Sequence, residues 1–123
     1  MDEMKKLLRG VFYISTMDGD QPRVRPFDSC IELDGKFYFE TANNKNVYRQ
    51  LKENPKVEIV AHDDDGTVRV TGEALEITDA ETIAGVEREV GKYLNNPALA
   101  VFCLQNANAK MMNAQGEVEA FQF

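Results

Sequence analysis

Three cations in this chain are spaced so that they could meet one anion. Arg23 and Arg25 lie in the segment PRVRPF, and Lys45 opens the segment KNVYRQL. Val47 and Leu51 are spaced i, i+4, and Asn54-Pro55 supplies a stop, so the second segment reads as a short helix with Asn43 as its N-cap. That puts Lys45 in the first turn, at the positive end of the helix dipole, where a cation costs a few tenths of a kcal/mol. Helix N-termini bind anions, and an added lysine strengthens such a site. A phosphate-bearing ligand would account for all three cations. Three solvated surface charges would account for them too, and charge alone leaves both readings open.

No catalytic set accompanies these residues. His62 is the sole imidazole, and it precedes three aspartates, which suits an exposed strand end better than a base. Cys30 reads as a structural or half-exposed thiol on the face opposite Ile31. No neighbour that would lower its pKa is visible. Tyr38 and Tyr48 show no adjacent base. The Asp63–Asp65 run lacks the spacing of a calcium loop, and one His with two scattered Cys is too few for zinc, so no metal site is expected.

The elements that must position the cations follow from pattern. Residues 2–9 carry Met4, Leu7 and Leu8 on a helical stripe. Val11–Thr16 reads as a strand, Asp18-Gly19-Asp20 as a turn, and the next strand contains Pro26. Proline cannot donate to a ladder, so that strand is an edge or is bulged. Asp34-Gly35 between apolar runs predicts a hairpin into the strand FYFET, with Phe37, Phe39 and Thr41 on one face. Lys56–Asp63 and Thr67–Ile77 are further strands. The apolar phase changes across Gly72, which predicts a bulge or bend of the kind a small barrel needs. Thr78 to Glu81 matches a capping box before a helix with Ile83, Val86, Val90 and Leu94, ending at Asn95-Asn96-Pro97. Leu99–Leu104 is expected as a strand, then Ala107–Asn113 and Glu117–Phe123 as a hairpin around Gln115-Gly116. Links are short and no βαβ alternation runs through the chain. The expectation is one mainly β domain with flanking helices, a small antiparallel barrel spanning residues 1–123.

Composition narrows the partners. The chain has 123 residues, 43% of them apolar, enough for one domain with a modest core. Its net charge of −7 argues against nucleic acid and anionic lipid as general partners while leaving room for a local phosphate pocket. No apolar run is long enough to span a bilayer, and the N-terminal segment lacks the pattern of a signal peptide, so a cytoplasmic protein with free thiols and no membrane partner is expected.

Arg25-Pro26-Phe27, FYFET at 37–41, KNVYRQL at 45–51, Asn54-Pro55-Lys56-Val57 and VRVTGEA at 68–74 occur in an order that resembles the FMN-binding split-barrel proteins related to pyridoxamine 5'-phosphate oxidase. The resemblance implies a split β-barrel that forms a homodimer, with FMN in grooves at the subunit interface. It implies that Arg25 and Lys45 bind the phosphate, that Thr41 hydrogen-bonds it, and that Pro26 and Phe27 flank the ring. Arg23 and Asn46 are weaker members of the set. It also implies a flavin-dependent oxidoreductase, since a bound flavin supplies redox chemistry that few side chains need assist. A non-catalytic flavin carrier or sensor, and a barrel that has lost its cofactor, are the rival readings. The match departs from the oxidase in three places. Val47 stands where the oxidase has its phosphate lysine, Thr67 stands near the position of a glutamine, and the chain has no tryptophan to match the oxidase's substrate segment.

Overall fold

A computed structural model describes all residues, 1–123. Eight strands form one antiparallel sheet around a barrel-like core, with three helices packed on it. Helix α1 (Asp2–Arg9) is followed by the hairpin β1 (Val11–Asp18) and β2 (Gln21–Asp28). The hairpin β3 (Ile31–Leu33) and β4 (Lys36–Ala42) comes next. Helix α2 (Asn46–Glu53) leads into β5 (Lys56–Asp63) and β6 (Gly66–Ile77). Helix α3 (Ala80–Val90), β7 (Leu99–Asn113) and β8 (Val118–Gln122) complete the chain. The strand order is β2-β1-β5-β6-β7-β4-β3, with β8 also on β7. Strand β7 pairs with β4 through residues 99–103 and with β8 through residues 108–112, so one strand serves both halves of a split barrel. No helix is long and apolar enough to cross a membrane.

The turn signals place the hairpins as expected. Asp34 and Gly35 both take positive φ, 52° and 82°, as a two-residue turn matched to strand twist requires. Strand β2 is a sheet edge, and Pro26 lies on it in register with Tyr13. The register of β6 against β7 shifts between Thr71 and Glu73. Gly72 is required there, because a Cβ would lie 3.0 Å from the Ala107 Cα and from the Gln105 carbonyl oxygen.

Phe12, Ile14, Phe39, Ile59, Val68, Val70 and Phe102 fill the barrel, closed by Met4, Leu7 and Leu8 of α1 and by Val47 and Leu51 of α2. A smaller cluster, Ile31, Tyr38, Val86, Val101 and Cys103, lies between α3 and the outer face of the sheet. Strand β4 is therefore buried on both faces.

Several boundaries differ from expectation. Asn43 is not the N-cap of α2. Its backbone N–H donates to the Ala98 carbonyl at 2.7 Å, and the Lys45 N–H closes a turn on the Ala42 carbonyl. The N-cap is Lys45 itself, one step ahead of the first turn and without side-chain capping. Thr78 and Glu81 make no capping box, because Asp79 is the N-cap and accepts from the Thr82 N–H and hydroxyl at 2.9 and 2.5 Å. Helix α3 stops at Gly91, which takes the left-handed conformation, rather than at Asn95-Asn96-Pro97, so Leu94 is exposed. The two strands expected over 99–113 are one strand of 15 residues. Cys30 lies outside any strand and is wholly buried in the barrel core, not half-exposed. Burial pushes its thiol up to about 12, the opposite of what a nucleophile needs.

Candidate functional site

A groove runs between the free edge of β2 and the start of α2. One cavity, about 500 Å³, is lined by Arg23, Arg25, Pro26, Phe27, Lys45 and Asn46, with Asp18 and Gln50 among its other walls. A second, about 290 Å³, shares Pro26, Phe27 and Lys45 with the first and adds Thr41, Glu40, Asp28 and Tyr93. All seven residues singled out in the sequence line one or the other. Two strands intervene between Arg25 and Lys45, and the barrel's curl brings them to one place.

Arg25 is the best prepared of the cations. Its Nη1 donates to the Thr16 hydroxyl at 2.8 Å and the Ile14 carbonyl at 3.2 Å, and its Nη2 donates to Gln50 Oε1 at 2.7 Å. The buried Thr16 hydroxyl also donates to Gln50 Oε1, at 2.6 Å. These partners are all neutral. They hold the guanidinium in place without cancelling its charge, and no carboxylate pairs with it. Burial, and then the like charge of Arg23, pull its pKa down, yet an arginine stays charged at any ordinary pH. Such a group is set to receive an anion.

The other members differ in degree. Lys45 is exposed and forms no ion pair, at the N-cap where α2 presents free N–H groups. Arg23 is paired with Asp18 at 3.3 Å, and Arg49 shares that carboxylate at 3.4 Å, so Arg23 brings little net charge. Thr41 is 1% exposed, and its hydroxyl oxygen has no partner within the chain. An unpaired buried hydroxyl costs about 1–3 kcal/mol, which suits a group awaiting a ligand. Phe27 packs edge-on to Phe12 and Phe39, with ring centroids 5.9 and 5.7 Å away. Asn46 is the first residue of α2 and lines the cavity as an exposed side chain. Val47 lines the same cavity with its side chain turned into the core.

Other candidates lie elsewhere. His62 is exposed at the end of β5, its Nδ1 2.7 Å from the Thr67 hydroxyl, and it lines neither cavity. Tyr48 does have a carboxylate neighbour, since its hydroxyl donates to Glu76 at 2.7 Å, but Lys52 occupies the same oxygen and the group is structural. No cluster of three or more His, Cys, Asp or Glu side chains is placed to hold a metal ion.

Sequence reasoning missed Thr16 and Gln50, whose neutral polarity carries no motif. It also missed Glu40, and Glu87 of α3, which lines neither cavity but is buried beside Glu40. Glu40 had a legible signal, a carboxylate inside FYFET, but that pattern reads equally as an outward-facing residue on a half-exposed strand.

A family model described as pyridoxamine 5'-phosphate oxidase matches residues 1–119. Among solved structures, a NimC/NimA family protein from Clostridium acetobutylicum is 32% identical over 98% of this chain and 88% of its own, with a TM-score of 0.88. A protein related to general stress protein 26, of the pyridoxinephosphate oxidase family and from the same organism, is 16% identical. It covers 99% of this chain and 93% of its own, with a TM-score of 0.71. A heme binding protein from Mycobacterium smegmatis is 16% identical over 96% of this chain and 55% of its own, with a TM-score of 0.72. The last two speak to the fold alone. A comparison with curated proteins finds no match.

Proposed function

This chain belongs to the pyridoxamine 5'-phosphate oxidase family, and on that premise we propose that it binds FMN in the groove and acts as an oxidoreductase, moving electrons from a reduced nicotinamide or similar donor to a small acceptor. The observation that carries the reading is Arg25, a partly buried cation held only by neutral partners and opening on the same groove as Lys45. Arg25 and Lys45 bind the phosphate, with Arg23 and Asn46 at its margin. Thr41 offers its unpaired hydroxyl, and Pro26 and Phe27 form the apolar wall for the ring. FMN, when bound, supplies the redox chemistry. The side chains bind it, orient it and exclude water. Val47 in place of a phosphate lysine sets the chain apart from the oxidase, and with no tryptophan to match the oxidase's substrate segment its substrate is a different one.

The protein acts as a homodimer in this reading. Val11, Tyr13 and Val24 are 57%, 48% and 68% exposed and share the outward face of β1 and β2 with Pro26. A second copy on that face would cover apolar surface and complete the groove.

The test is the visible spectrum of purified protein after FMN is added and the excess removed. Retained bands near ~450 and ~375 nm, as an oxidised flavin shows, followed by bleaching with NAD(P)H, support the enzyme. Bound flavin that no donor reduces makes the protein a carrier. No retained flavin defeats the cofactor assignment.

A further inference from the structure

One wall of the second cavity is Glu40, which pairs behind that wall with Glu87, and phosphate binding uses neither carboxyl. Glu40 on β4 and Glu87 on α3 are 7% and 9% exposed, and their carboxyls lie within hydrogen-bonding reach. No other donor in the chain reaches either oxygen of Glu40 or Oε2 of Glu87. Two carboxylates are both acceptors, so as anions they could only repel. One proton on Glu40, donated to Glu87, converts the repulsion into a hydrogen bond.

The remaining oxygen of the pair holds the next segment. Glu87 Oε1 accepts the Tyr93 backbone N–H at 3.2 Å. Tyr93 and Lys92 line the groove together with Pro26 and Phe27, and Lys92 is paired with Asp28 on the edge strand. Residues 91–98 therefore form a strap whose first turn walls the groove: Lys92 and Tyr93 tie that end to β2 and to Glu87, and the Asn43 N–H holds the far end at the Ala98 carbonyl. Left-handed residues at Gly91 and Asn95 bound its bend.

We propose that the Glu40–Glu87 pair is a proton-operated latch for this strap: with the proton in place the strap closes one wall of the groove, and loss of the proton releases it. Ionised Glu40 would face Glu87 across a dry contact. Helix α3 and the Tyr93 N–H tied to it then move outward, because the sheet beneath Glu40 cannot. In register with Glu40 that sheet offers only Val101 of β7 and Ile77 of β6, with the Cys103 thiol and the Tyr38 hydroxyl one row away. The nearby cations do not relieve the pair. Lys92 is engaged by Asp28, and Lys45, though it lines the same cavity, is exposed and makes no ion pair with Glu40. Burial first, and then Glu87, push Glu40 up to about 8, so the latch opens on the alkaline side of neutrality.

That the wall closes on a flavin rests on the reading above, while the latch itself is testable without one. The chain has no tryptophan, so Tyr93→Trp places a single reporter on the strap and keeps the backbone N–H that Glu87 accepts. Acrylamide quenching of cofactor-free protein between pH 6 and pH 10 should show a several-fold rise in accessibility centred near 8. Glu40→Gln donates a permanent N–H to Glu87, so the reporter should stay shielded throughout. An absent transition, or one that Glu40→Gln leaves in place, overturns the latch. Should that variant fail to fold, Glu87→Gln must move the midpoint by more than one pH unit, and an unmoved midpoint overturns the latch equally. FMN titration at pH 7 and pH 9 separates the two readings. A transition with no FMN uptake at either pH keeps the latch and removes the cofactor. Uptake that weakens at pH 9 only where Glu40 is present supports both.

Discussion

The groove has two halves that treat charge in opposite ways. At the Arg25 end a cation is partly buried, yet its neighbours are a hydroxyl, a carbonyl and an amide oxygen, so it keeps its charge and lacks a counterion. At the Glu40 end two carboxyls are buried against each other and one is neutralised by a proton. The contrast comes from what each charge can shed. A guanidinium cannot lose its proton, so a partly dry site must supply acceptors or an anion. A carboxylate can gain one, so crowding two together selects the neutral form. In the readings proposed above, the first half receives a ligand and the second responds to pH.

The largest effect that would sharpen this comparison is on stability. Glu40 is raised in the folded state to about 8, from the 4.5 of an ordinary glutamate. Between those values the folded chain holds a proton that the unfolded chain has lost. The stabilisation is complete below the lower value and falls as pH rises through the window, by up to about 1.4 kcal/mol per pH unit. Thermal melts of wild type should therefore fall between pH 5 and pH 8.5, and Glu40→Gln should flatten that slope. Equal slopes in both proteins would break the acid half of the comparison.

Next in size is Arg25→Ala. Removing a charge-assisted contact should weaken FMN binding by about 1.5–3 kcal/mol, roughly 10- to 150-fold by fluorescence titration. Lys45→Ala should cost less, about 1 kcal/mol, and should lose its effect in high salt because that side chain is exposed. Equal losses at the two positions would mean that pre-organisation by Thr16 and Gln50 contributes nothing. The smallest effect is a gain. Asp18→Asn frees Arg23 and Arg49 from their shared carboxylate and should tighten FMN by a few tenths of a kcal/mol at low salt. Weaker binding in that variant would show that Asp18 positions the arginines instead of masking them.

Much of the frame was legible from local signals. Asp34-Gly35 dictates its hairpin through positive φ at both positions, Pro26 marks an edge, and the apolar phase change around Gly72 marks the register shift. Less legible were the places where backbone groups found distant partners. Asn43 lost its capping role to a hydrogen bond from its own N–H to Ala98, 55 residues away in sequence. The helix over 80–90 ended early because Gly91 can take a conformation that the Asn-Asn-Pro signal downstream never needed to supply. Burial of β4 on both faces was hidden as well, since a strand with a carboxylate in its interior, Glu40, looks half-exposed until a helix covers it.

Residue type and order thus determined which groups could bind an anion and roughly where each strand would turn, because propensity and side-chain alternation act over a few residues. The barrel's closure decided the rest. It placed β2 beside α2, left Arg25 among neutral acceptors, and pressed α3 over β4 so that Glu40 and Glu87 meet. Charge state in a site depends on distance and dryness, and both are set by elements far apart along the chain.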